Sequence, residues 1–394
     1  MKHYKGLLVF ALAAVMLAGC GKKEEAAEPV EEVQEEPEEE VLEAEDPDVE
    51  AIPEGQVKSY LTGEYVPEEI GTRRPVAVML NNIQAAVPQA GIAKAGVVYE
   101  APVEGNITRL MGIFEDYDDL DKIGSVRSCR TYYIYFAREF DAIYTHFGQA
   151  VYAVEHLNRD GVDNISGLAA QKDVGPVSGY AGEGIFYRTT DRKAPHNCYT
   201  SAEGIAAAIE KNGYRTQYAD DYTGHYQFAK VGESVNMDSG YAATYVSPHY
   251  AVNDPWFEYD EETGLYKRFQ YGAAQIDQLT DEQLTYKNII IQNFSTIALD
   301  DHGYLDLDCI AGGTGIYITD GKAIDITWKK DSEWGPSRYY DADGNEITLN
   351  TGKTWVCAVN NNDAGRIEVR DINAEPQAIP EAEEVTGTEE TTAE

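Results

Sequence analysis

Hydrophobic positions are distributed along the chain in distinct regimes. A short apolar run near the N-terminus gives way to a long stretch in which acids and prolines displace apolar side chains. From Arg74 onward, apolar runs return with the spacing of a folded protein. Arg74-Pro-Val-Ala-Val-Met-Leu-Asn-Asn82 is continuous and ends in two amides, the pattern of a strand buried on both faces. Pro88-Gln-Ala-Gly91 reads as a turn. Gly96 to Gly105 is a second strand broken at Pro102-Gly105, and Ile107 to Phe114 alternates enough to pair with it as a hairpin. An acidic loop, Asp116 to Asp121, leads into the stretch that organises the rest, Ile123 to Gly148. There a Gly-Ser turn precedes Ser128, a suitable N-cap. Tyr132, Tyr133, Phe136, Ala137 and Phe140 then recur at helical spacing. Asp141 to Phe147 reads as a strand, Val151 to His156 as a short helix, and Asp160 to Gly184 as a glycine-rich loop. Phe186 to Thr200 is polar and extended. Thr200-Ser-Ala-Glu203 is a capping box opening a helix that ends at Asn212-Gly213.

The period changes after about residue 225. Val246–Pro248, Trp256–Tyr259, Leu265–Phe269, Asn288–Gln292, Gly315–Thr319, Ala323–Trp328, Ser337–Tyr340 and Thr354–Cys357 all read as strands. Turns at Glu262-Thr-Gly264, Asp320-Gly321 and Asp343-Gly344 separate them. The fold class expected is α+β: a mixed α/β N-terminal domain over 69–215 and a β-rich C-terminal domain over 225–372. Acidic segments over 21–68 and 373–394, expected to be disordered, flank them.

Charge sharpens this picture. Gly21 to Gly55 holds 16 acidic residues, two lysines and no aromatic residue. Such a segment cannot bury enough apolar area to offset its ordering entropy. As a coil, the tether reaches about 40 Å. Ala374 to Glu394 adds seven acids and no base. Much of the formal net charge of −38 thus belongs to the two ends. This acidity argues against nucleic acid and anionic lipid surfaces as general partners.

Residues 1–20 match a bacterial lipoprotein signal. Lys2 and Lys5 form the basic region, Leu7 to Met16 is too short an apolar run to span a bilayer, and Leu17-Ala18-Gly19-Cys20 is a lipobox. A diacylated Cys20 would anchor the chain to the outer face of the bacterial cytoplasmic membrane.

Four further cysteines, Cys129, Cys198, Cys309 and Cys357, show no Cys-x-x-Cys spacing. A Cys309–Cys357 disulfide is open if those strands pair, but free or buried thiols are expected. No HExxH, Gly-x-Ser-x-Gly, Ser-x-x-Lys or P-loop is present, and no cofactor or metal site is expected. Asp341-x-Asp343-Gly344-x-Glu346 lacks the rest of a calcium loop and reads as a hairpin turn.

Several motifs occur in one order: Arg74 to Asn82, Tyr99-Glu…Glu104-Gly-Asn-Ile-Thr-Arg109, Val126-Arg-Ser-Cys-Arg130, His146-Phe-Gly148 and Arg192-Lys-Ala-Pro-His-Asn197. Gly264-Leu-Tyr-Lys-Arg268, Thr327-Trp-Lys-Lys330 and Leu349 to Trp355 follow. Over most of 72–360 the chain resembles the YerB-like lipoprotein family. That resemblance implies a two-domain α+β lipoprotein of Gram-positive bacteria and brings no activity with it.

The candidate ligand-binding residues are Arg109, Arg127, Arg130, Arg188, Arg192, His146, His196, Asn197, Glu100 and Glu104. A helix starting near Ser128 would add its positive end to Arg127 and Arg130, favouring a carboxylate or phosphate. The competing reading closes these arginines onto Glu100, Glu104 or Asp141. Glu100 and Glu104 on a regular strand would lie about 13 Å apart, too far for a glycosidase pair. Two functions follow. One is a non-catalytic binding or adaptor protein with an arginine-rich face for an anionic wall component or membrane-associated protein. The other is a hydrolase or transferase on a cell-wall polymer, using His146 or His196 with Glu100 or Glu104.

Overall fold

The computed structural model describes residues 50–376. The lipobox with Cys20, most of the expected tether and most of the acidic tail lie outside them. The described residues belong to one compact unit. At its centre an eleven-stranded mixed sheet draws on both halves of the chain. Across the sheet the order begins with Tyr241–Ala242, Lys322–Lys330, Gly313–Thr319, Asn288–Phe294 and Thr354–Asn360. It continues with Val97–Pro102, Thr108–Phe114, Val76–Asn81, Ile143–His146 and Asn164–Ser166, while Ser337–Tyr340 pairs with Lys322–Lys330. The join between halves is a parallel pairing in which Thr354 faces Val97 and Cys357 faces Glu100.

The continuous apolar runs arise because both faces of this sheet are covered. Every residue of Val76–Asn81 and of Asn288–Phe294 is buried. Alternate residues feed two separate cores, as strand geometry requires. Met79, Tyr99, Ile290 and Val356 pack on one side with the helix Thr131–Arg138; Val78, Val98, Ile291 and Trp355 pack on the other. That second side is covered by the helix Ala202–Asn212 and by a six-stranded sheet containing Trp256–Asp260 and Leu265–Gln270.

The α+β class holds, and the strand pattern of the C-terminal half is present throughout. Two local expectations differ. Residues 50–68, assigned from composition to the tether, are folded: Gln56–Lys58 pairs with Tyr65–Pro67, and Leu61 is fully buried. The acidic bias ends near Gly55, and Tyr60, Leu61 and Tyr65 supply the apolar area that the preceding segment lacks. The helix Ala202–Asn212 is capped by Ser201, whose Oγ accepts from the Gly204 N–H, not by Thr200, which donates to the Ile185 carbonyl. The Cys309–Cys357 pairing is not made: the four described cysteines are free and buried, and Cys309 and Cys357 belong to opposite cores. Among the described residues no helix is long and apolar enough to cross a membrane.

Candidate functional site

The central helix begins at Thr131, not at Ser128. Its predecessor, 127–129, is extended and bonded to neighbouring segments. Arg127 N–H donates to Met79 O, Phe147 N–H to Arg127 O, Cys129 N–H to Gly148 O and Ala150 N–H to Cys129 O. Once those groups are tied into a neighbouring segment they cannot open a helix, so Ser128 caps nothing; its Oγ donates to Phe147 O. The approach is close. Gly148 has φ +81°, and a Cβ there would meet Ser128 Oγ at 2.9 Å. The arginines are therefore presented from an extended segment rather than a helix end.

The helix positions the site from behind. Tyr132 Oη donates to Pro102 O and Tyr133 Oη to Arg109 O, both at 2.6 Å. These bonds pin the strand ends that carry Glu104 and Arg109. Arg109, almost wholly buried, donates to Ser128 O at 2.6 Å. Burial, then Arg130 and Arg127, push its guanidinium down to about 9, so it stays charged at neutral pH. Arg130 forms a two-pronged ion pair with Glu104, Nη2 to Oε2 being 2.6 Å. Burial would lower Arg130, but the Glu104 carboxylate holds it above its ordinary value.

Arg127 differs from both. Its guanidinium makes no hydrogen bond or ion pair among the described residues, and its Nε is buried without a partner. Burial, then Arg130, lower its pKa, with Arg188 adding to the repulsion and Glu104 opposing it. A half-buried guanidinium with other guanidiniums nearby and no protein acceptor is a group that an anion would satisfy.

Around it, Arg188 is exposed, donates to Asn197 Oδ1 at 2.9 Å and lies 5.2 Å from the Phe147 ring centroid. Asn197 is itself held by donating to Thr189 O. His196 Nδ1 accepts from Asn81 Nδ2 at 2.9 Å; burial, then Arg127 and Arg192, lower its pKa. Arg192 belongs less to the site, since its guanidinium donates to the Ala86 and Pro88 carbonyls.

Two candidates leave the set. His146 is fully buried with its ring between Gly148 O and Asn164 Oδ1, and burial pushes it down to about 4. Glu100 is fully buried on the opposite side of the sheet. There Asn253, Thr108 and Asn82 donate to Oε1, and Arg268 Nη2 lies 2.5 Å from Oε2. Glu104 turns away to Arg130 beyond the end of the strand. The histidine–carboxylate pair required by the enzymatic reading is thus not assembled from these residues: His146 and His196 meet amides and a carbonyl, and both glutamates are closed by arginines. Asp141, another expected partner, is taken by Arg74 and Arg215. Among the described residues, no group of three His, Cys, Asp or Glu side chains is placed to hold a metal. A cleft of about 580 Å³ lined by Arg73, Tyr117, Ile143, Ile209 and Tyr214 lies elsewhere and contains none of the candidates.

Sequence reading missed Asn81, Phe147 and Tyr304. Tyr304, from the C-terminal half, stacks its ring centroid 5.0 Å from the Arg130 guanidinium. Asn81 was visible as the polar end of an apolar strand; nothing local in the sequence marks Tyr304.

Comparison with known proteins accords with this architecture. Residues 61–215 match the N-terminal domain, and 246–356 the C-terminal domain, of a family described as "Protein of unknown function (DUF3048)". The chain is 32% identical over 315 residues to "Putative lipoprotein YerB" of Bacillus subtilis, spanning 79% of this chain and 89% of that protein. The crystal structure of YerB from Bacillus subtilis superposes with a TM-score of 0.65 at 30% identity, covering 77% of this chain and 96% of the other.

Proposed function

Because the chain belongs to the DUF3048 family and carries its two domains in order, we propose that it is a lipid-anchored, non-catalytic binding or adaptor protein of the bacterial cell envelope, with an anion-recognition face centred on Arg127. The observation that carries this reading is the unpartnered Arg127 guanidinium beside Arg109, Arg130 and Arg188. Glu104 is already spent on Arg130, so the group leaves an uncompensated positive charge at the surface of an acidic protein. A carboxylate or phosphate entering there gains charge-assisted hydrogen bonds and relieves repulsion at once.

The lipobox ending at Cys20 and the name of the Bacillus subtilis relative support anchoring on the outer face of the cytoplasmic membrane of a Gram-positive cell. A tether between anchor and folded unit would set the reach and raise the local concentration of the binding face, a role that needs no chemistry. The test is retention on isolated sacculi by the full chain and by Arg127→Gln, followed by mass analysis of the wall fragments. Retention that falls in the variant, with fragments intact, supports the reading. New fragment masses would make the protein an enzyme and refute it.

A further inference from the structure

The two flanks of the arginine group differ in chemistry. On one side Arg188 lies over Phe147 and remains exposed. On the other, Arg130 is closed by Glu104 and backed by Tyr304. Tyr304 meets Tyr152 edge to face, with ring centroids 5.8 Å apart. Tyr152 is 39% exposed and follows Val151, also exposed. Its hydroxyl donates to Asp300 Oδ2 at 3.1 Å, while Asp300 Oδ1 accepts the backbone N–H groups of His302 and Tyr304. This corner adjoins the arginine segment, because Cys129 O, between Arg127 and Arg130 in sequence, accepts from the N–H of Ala150, two residues before Tyr152.

An anion gains nothing next to Asp300. An exposed aromatic ring beside a carboxylate instead suits a sugar, whose C–H face packs on the ring while its hydroxyls donate to the carboxylate. We propose that the Arg127 group and the Tyr152–Asp300 corner bind one ligand, an anionic oligosaccharide with its acidic group at Arg127 and a sugar ring on Tyr152. This rests on the anion-binding reading above and adds the class of molecule that carries the anion.

Three probes separate the contributions: a galacturonate hexamer, inorganic tripolyphosphate and the neutral cellohexaose. Each is titrated into the full chain in detergent, and into Tyr152→Ala, Tyr152→Phe and Arg127→Gln. The proposal expects Tyr152→Ala to weaken the galacturonate hexamer about tenfold, the scale of one lost ring contact, with tripolyphosphate unchanged. Tyr152→Phe should retain most of the affinity, and Arg127→Gln should weaken both anions. Cellohexaose should bind far more weakly than the acidic hexamer. If Tyr152→Ala leaves the hexamer unaffected while Arg127→Gln weakens it, the saccharide assignment falls and the anion site stands. Equal binding of cellohexaose also overturns the assignment. If neither anion binds the wild-type chain, both readings fall.

Discussion

Glu100 and Arg268, 168 positions apart in the chain, form a fully buried ion pair at 2.5 Å between the central sheet and the six-stranded sheet packed on it. The guanidinium also lies 4.5 Å from the Phe257 ring centroid and 4.6 Å from that of Trp355. Asn253 bonds both Glu100 and Gln270, extending the contact into a polar network. One half of the family architecture is thereby fastened to the other, and the strand whose far end leads to Glu104 is held in place.

Breaking that pair from one side leaves a buried charge without its partner. Glu100→Ala or Arg268→Ala should cost about 3–5 kcal/mol, the usual penalty for a buried ion left alone. Glu100→Met with Arg268→Met should recover much of the loss. Urea unfolding of the four proteins checks this; equal stability of single and wild-type chains would show the pair to be dispensable.

Arg127 and Arg130 should behave oppositely. Arg127→Gln removes a repelled, unpaired cation, so the unfolding midpoint should stay level or rise. Arg130→Gln orphans Glu104 and should cost about 1–3 kcal/mol, less than a fully buried pair because Glu104 is partly exposed. Thermal melts of the two variants side by side decide the point. Matching losses would mean that Arg127 is held by a structural contact.

Much of the strand pattern was legible because a sheet covered on both faces writes unbroken apolar runs into the sequence, as in Val76–Asn81 and Asn288–Phe294. Pairing was not legible. Nothing near Glu100 announces Arg268, and nothing near Arg130 announces Tyr304, since both partners arrive from the distant half. The helix start was misplaced for a related reason: Ser128 has the chemistry of a cap, but tertiary bonds to Met79, Phe147 and Gly148 had already claimed the backbone around it. Arg109, Arg127 and Arg130 could be grouped from the sequence because they lie along two adjoining stretches. Arg192 read as one of them although its donors go to two backbone carbonyls.

Glu115 should withdraw stability as pH rises from about 4.5 to about 7. Burial pushes its carboxyl from 4.5 up to about 7, against the hydrogen bond from Ser59 Oγ. The folded state therefore holds a proton that the unfolded chain releases. The stabilisation is fully present below about 4.5 and lost as pH passes about 7. The span corresponds to roughly 3 kcal/mol. His146, lowered to about 4, acts in the opposite sense: its contribution is present above 6.5 and lost as pH falls through about 4. Denaturant midpoints of wild type and Glu115→Gln from pH 4 to 8 test the first effect. The midpoint of wild type should fall relative to that of the variant between pH 4.5 and 7, and a constant difference would refute the assignment.

Glu104→Gln should release Arg130 to a second ligand contact. Tripolyphosphate affinity should rise several-fold, on the scale of one added charge-assisted hydrogen bond, while stability falls. An affinity unchanged or lower in this variant would show that Arg130 does not share the site.

The central claim is that Arg127 is a ligand-free anion contact. Calorimetric titration of the full chain with tripolyphosphate, at low and high salt, beside Arg127→Gln, addresses it most directly. Wild type should bind with an affinity that drops as salt rises, and the variant should bind at least about tenfold more weakly with no loss of melting temperature. Equal affinity in the two proteins, or no binding by wild type even at low salt, would contradict the account.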